Sequence, residues 1–159
     1  MSLQDLANTL AATPLAAELT DSTWLFGTVE SVHVVALTLV LGSIGLIDLR
    51  LLGLVERESD ADAFVHRLLP LTWTGFALAA VTGSTLVFAN PQGYLANFFF
   101  LGKIVLLALA GLNVLVFHRF VRPNTTNTNA ALAPRVSAGI SLVLWLTIVS
   151  FGRWIGFTI

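Results

Sequence analysis

The chain contains no cysteine, which removes disulfides, iron–sulfur clusters and thiolate zinc sites from its possible chemistry. Charge is almost as scarce. Only 11% of the 159 residues are Asp, Glu, Lys or Arg, against about a quarter in soluble proteins. No basic patch is present, so nucleic acid is not an expected partner. There is no Gly-rich phosphate loop, no nucleophile elbow and no His-Glu-x-x-His metal motif. The first residues lack the charged start and apolar run of a secretory signal, so the mature chain is expected to begin at or near Met1.

What fills the chain instead is apolar sequence: 56% of residues are hydrophobic, with a mean hydropathy of +0.86. The apolar residues fall into four stretches, 24–55, 68–89, 97–121 and 136–158. Each is long enough to cross a hydrocarbon layer about 30 Å thick, which takes roughly 20 residues of helix. The expected fold is an all-α, four-transmembrane-helix antiparallel bundle in one domain, with no room for a second. Residues 1–20 place Leu3, Leu6, Leu10, Leu15 and Leu19 among small and polar residues, an interfacial amphipathic helix too weakly apolar to span, with a break at Thr13-Pro14. Asp21-Ser22-Thr23 offers N-cap chemistry and Trp24 an interfacial anchor. The charged run 56–62 reads as a solvated connection with the start of the next helix, the Asn/Thr-rich run 122–129 as a polar connection, and 90–94 as a turn. Pro70 is expected in the first turn of the second span, where its missing N–H costs nothing.

Arg50, Arg57, Arg67, Arg119, Arg122 and Arg135 cluster at the two ends joined by 56–62 and 122–129, whereas the start of the chain and the 90–97 turn contain no Lys or Arg. By the positive-inside bias, those two connections face the cytoplasm and both termini face outward.

Ionisable groups inside lipid cost about 2.5 to 3.5 kcal/mol each on insertion scales, so each needs a partner or a task. Glu30, His33 and Asp48 share one side of the first span at about 100° per residue, and that side is expected to face the bundle interior. Arg50 projects almost oppositely and can snorkel. His66 opens the second span and His118 closes the third, at one level and flanked by Arg67, Arg119 and Arg50. Two imidazoles on facing helices can hold a b-type haem, with propionates leaning on basic residues. His33 would need a separate, outer haem, with Lys103 or Arg153 near its propionates and a ligand from another subunit. A plainer reading is also open: histidines at helix ends are commonly interfacial, and Glu30 could bond the His33 ring without any cofactor. Small residues Gly42, Ser43, Gly45, Ala108, Ala110 and Gly111 allow close helix approach, and Asn113 can bridge helices.

The strings Glu30-Ser31-Val32-His33-Val34, Asp48-Leu49-Arg50-Leu51-Leu52-Gly53-Leu54, Leu68 through Phe76, Leu107 through Asn113 with Phe117-His118, and Gly152-Arg153-Trp154 occur in order along the chain. In these it resembles a bacterial four-helix inner-membrane family of unknown function. His33, His118, Glu30, Asp48, Arg50, Lys103, Asn113 and Arg153 fall in the family-like motifs and His66 does not, so the resemblance favours His118 over His66 as a ligand. The layout is also similar, in architecture alone, to copper-resistance membrane proteins and small b-type cytochromes.

Two functions follow as expectations. One is a haem-b-binding, cytochrome-like subunit passing electrons between a quinone or redox partner and another chain, as a homo-oligomer or within a membrane complex. His33 and His118 are its leading iron ligands, His66 the reserve, and Arg50, Lys103 and Arg153 its propionate partners. The other is a structural or assembly subunit in which Glu30, His33, Asp48, Lys103 and Arg153 form buried ion pairs. A third, ion or proton movement along the Glu30, His33 and Asp48 face, is open as well, without sequence support for a continuous path.

Overall fold

The computed structural model describes residues 2–55, 61–121 and 132–159. The connection 122–129 lies outside them, as does 56–62 apart from its last two residues. Seven α-helices account for nearly all that is described. Two short ones come first, α1 (Leu3–Ala11) and α2 (Pro14–Asp21). They are followed by α3 (Leu25–Leu51), α4 (Ala61–Val87), the short α5 (Pro91–Ala96), α6 (Phe98–Val116) and α7 (Leu132–Thr158). A π-helical turn, Phe117–Val121, extends α6. Four helices are long and apolar enough to cross a membrane: Leu25–Leu51, Ala63–Val87, Phe98–Arg119 and Leu132–Thr158. The protein is a multi-pass, all-α membrane protein.

Local sequence explains where each helix starts and stops. Ser2 and Asp5 form a reciprocal capping box on α1. Thr13 caps α2 and Pro14 takes its first position, where a proline loses no hydrogen bond. Thr13-Pro14 thus divides the N-terminal segment as its residues predict. Ser22 accepts from the Leu25 N–H at 3.2 Å as α3 begins, and Trp24 stands 82% exposed, free to lie in a membrane interface. The far end of α3 is a Schellman turn. Leu54 N–H donates to the Leu49 carbonyl and Gly53 N–H to that of Arg50, while Gly53 takes φ 76°, a left-handed value that costs a glycine nothing. That turn ends the helix four residues before the apolar run does.

Two expectations about helix limits need correction. The helix of the second span starts at Ala61, within the charged run expected to hold its start, and the residues through Arg67 form its leading turns. Pro70 therefore lies inside α4 and not in its first turn. The helix continues through it, with Thr74 Oγ1 donating to the Pro70 carbonyl at 2.9 Å. The segment 90–94 is not merely a turn either. Asn90 Oδ1 accepts from Gly93 N–H at 3.0 Å and Pro91 occupies the first position, which together nucleate α5.

The long helices pack in the order α4, α3, α7, α6, so α3 and α7 form the central pair. In lipid there is no hydrophobic drive to hold helices together; close packing and interhelical hydrogen bonds must do it. The α3–α4 seam is built from small residues: Ala36, Val40 and Ser43 on one side, Gly75, Ala79 and Thr82 on the other. Thr72 Oγ1 lies 2.8 Å from Ser43 Oγ across it. Val40, Ala110, Trp145 and Ile148 form the central core of α3, α6 and α7. Asn113 and Ser137 exchange two hydrogen bonds of 3.1 and 3.2 Å between α6 and α7, as the buried amide suggests. At the end where α3 begins, α1 packs on α5 and α2 on α3, with Ala7, Ala16 and Leu19 buried. This layer caps that end of the bundle.

Candidate functional site

His33 sits on α3, between two and three turns below the capped end and half-buried against α4. Its Nδ1 is 2.9 Å from Thr82 Oγ1. The Thr82 hydroxyl has one proton, and its shortest bond, 2.7 Å, gives that proton to the Leu78 carbonyl. A carbonyl can only accept, so while Thr82 gives its proton there its Oγ1 serves as an acceptor, and His33 bonds it in the tautomer that carries the proton on Nδ1. The Ala79 carbonyl of α4 also accepts from the ring. Gly83 supplies the space for the ring: a Cβ at that position would stand 2.9 Å from His33 Cε1.

Lys103, on α6, is the charged group that His33 senses. Its ammonium end lies against Gly152 of α7, and among the described residues no carboxylate pairs with it. Phe99 of α6 packs on Phe151 of α7 at 5.4 Å and on Trp154 at 6.0 Å, walling the same level with aromatic rings. Asn97 Nδ2 donates to Thr158 Oγ1 at 2.8 Å and ties α6 to α7 just above. Glu30 is exposed and stands near Tyr94 of α5. Burial pushes the Tyr94 phenol up from its ordinary value, and the negative charge of Glu30 adds to the effect.

The other residues singled out from sequence are placed apart from this cluster. The expected Glu30–Lys103 ion pair is absent, because Glu30 points to the exposed side near α5 while Lys103 lies between α6 and α7. Asp48 is likewise not ion-paired among the described residues. It is 4% exposed and faces the Ser141 hydroxyl of α7, which hydrogen-bonds its carboxyl. His33 and Asp48 thus leave α3 toward different neighbours. Arg153 is exposed and lies 4.5 Å from the Phe157 ring centre, a cation–π contact one turn along its own helix. Arg50 is half-buried near the end of α3 opposite the cap.

The proposed His66–His118 pair is not assembled. Both side chains are exposed, the turn that carries His118 packs on α7, and the His118 ring stands edge-on to Phe117 at 5.6 Å. Nor can His33 and His118 share one iron. They lie toward opposite ends of two parallel helices, roughly 18 Å apart along the bundle at 1.5 Å per residue. Among the described residues no group of three His, Asp or Glu could hold a metal ion. Thr82 and Gly83 are the site residues that the sequence did not reveal. Their signal was available in the recurrence of small residues at 75, 79, 82 and 83, one helix face.

No curated protein and no solved structure matches the chain. Residues 21–158, which include all four spans and the His33 cluster, match DUF6644, described as a family of unknown function. The chain belongs to that family.

Proposed function

We propose that the chain is an integral-membrane, haem-b-binding subunit that passes electrons, with His33 as its iron ligand. The observation that supports this is the seating of the His33 ring on the α3–α4 seam inside a membrane helix, held through Nδ1 by Thr82, with the charge of Lys103 acting on it and no described carboxylate paired with that lysine. Histidine ligands characteristically donate their second ring N–H in this way, which sets the tautomer and raises basicity at the ligating nitrogen. The residues fit a haem in that respect, and Lys103 offers a cation for a propionate. When bound, haem b supplies one-electron transfer. This chain's own groups would hold it, orient the imidazole and neutralise its carboxylates. They would provide one imidazole nitrogen at this level, so a second ligand would come from a second copy or another chain. That requirement makes the subunit part of a homo-oligomer or a membrane redox complex, with a quinone as a natural electron partner. The arginine asymmetry supports a bacterial inner-membrane location with the capped end, and both termini, on the periplasmic side.

The test is optical. Purified protein in detergent should bind haem and show b-type bands that sharpen on reduction with dithionite, and His33→Ala should lose them.

A second reading, a non-catalytic structural or assembly subunit, has its own support. His33 also joins α3 to α4 through Thr82, a task that needs no cofactor. In that case the purified protein is spectrally silent and His33→Ala lowers only its stability.

A further inference from the structure

Asp48 is the most deeply buried ionisable group among the described residues, at 4% exposed, and the His33 cluster makes no use of it. Its Oδ2 is fully enclosed and accepts no hydrogen bond. The other known contact of the carboxyl is the Ser141 hydroxyl. A carboxylate held this way would carry a full negative charge against one neutral donor, on a seam between two membrane helices, where such charges are strongly disfavoured.

Among the described residues no cation pairs with it. On α7, Asp48 meets the neutral Ser141, and the Trp145 indole one turn further on is itself enclosed and unpartnered. On the turn Phe117–Val121, which packs on α7, His118 and Arg119 are exposed. The charged groups on α7, Arg135 and Arg153, are exposed. On α4, His66 and Arg67 are exposed. Glu18 and Asp21 of α2 lie at the capped end of the bundle, away from Asp48. On α3 itself, Arg50 is two residues on, about 200° around the helix, and Glu30 is five turns away. An enclosed oxygen without an open surface also leaves no place for a partner's donor group. A proton is the one neutralising ligand that needs no additional volume.

We infer that Asp48 is a proton-binding site, holding its carboxyl neutral with a proton on Oδ2 in the folded chain. Ser141 donates to the carboxyl and orients it. Asp48 lies one turn from the end of α3 opposite the cap, so its proton exchanges with the solvent on that side. Proton release would place an unpaired charge on the α3–α7 seam, which makes this central contact responsive to proton activity on one face of the membrane. The inference does not depend on haem.

Infrared spectroscopy of the full-length protein in detergent, labelled with carboxyl-¹³C aspartate, tests it directly. At neutral pH the wild type should show a neutral-carboxyl C=O band that moves with the label and shifts in D₂O. Asp48→Asn should lack that band, and Ser141→Ala should move it to higher frequency because the carboxyl loses its donor. If Asp48→Asn does not fold, the labelled wild type and Ser141→Ala still decide. A folded wild type with no label-sensitive neutral-carboxyl band at neutral pH overturns the inference, as does a band that persists undiminished in folded Asp48→Asn.

Discussion

At the scale of single residues, the chemistry of this chain turns on how few polar groups it carries and how each is satisfied. His33 could be picked out from sequence because an imidazole in an apolar run must have a partner. The partner could not, since Thr82 lies forty-nine positions away and a threonine in a helix most often bonds its own preceding turn, as Thr74 and Thr85 do here. Glu30 was the nearer candidate by spacing, yet it is exposed and acts on Tyr94. Two substitutions measure the His33 contact. Thr82→Val removes the acceptor and should cost about 0.6 to 1.7 kcal/mol, the span found for hydrogen bonds between membrane helices, read by denaturant unfolding in detergent. Gly83→Ala forces the ring aside and should cost about 1 to 3 kcal/mol, as overpacking does. His66→Ala and His118→Ala should leave any bound haem in place, since neither ring faces a partner imidazole. Loss of haem in either variant would restore the pairing that the structure separates.

Tyr94 gives a pH test of the capped end. It is the only tyrosine, so ultraviolet titration of the phenolate reads one group. Its midpoint should lie above 10.0, the ordinary value, and Glu30→Gln should lower it, because removing a negative charge eases formation of a second one. The unfolded chain releases the phenolic proton first. Stability should therefore be unaffected below the ordinary value and fall as pH rises from there to the folded midpoint.

At the scale of helices, composition and hydrophobic runs sufficed to find all four spans, because a membrane demands length and apolarity and little else. Their ends depended on local chemistry that hydropathy does not register. The first apolar run extends to Val55, but the Gly53 turn closes α3 at Leu51. Residues 61–67, polar at several positions, form the leading turns of α4, where side chains can reach water while the backbone stays hydrogen-bonded. Pro70 looked like a first-turn residue only because that helix was begun too late. Gly53→Ala should destabilise the end of α3 by roughly 1 to 2 kcal/mol, the cost of a left-handed residue with a Cβ. The same substitution at Gly42, where a Cβ meets nothing, should be neutral or slightly stabilising, and thermal melting of the two variants compares them.

At the scale of the whole molecule, the bundle is asymmetric between its two ends. One end is capped by α1, α2 and α5 and holds His33, Lys103 and Tyr94; toward the other, Asp48 is enclosed between α3 and α7. On the orientation proposed from the arginine distribution, the capped end faces the periplasm. Reporter fusions should accordingly work as cytoplasmic at the connections 56–60 and 124–129 and as periplasmic at both termini. A periplasm-active reporter at either connection would reverse the orientation.

The central claim is that His33 holds a haem iron. Absorption spectra of detergent-purified protein, oxidised and dithionite-reduced, for the wild type and His33→Ala, test it most directly. The account predicts b-type bands in the wild type and their loss in a His33→Ala protein that remains folded. A wild type that shows no such bands after expression with ample haem, or full retention of them in His33→Ala, would contradict it.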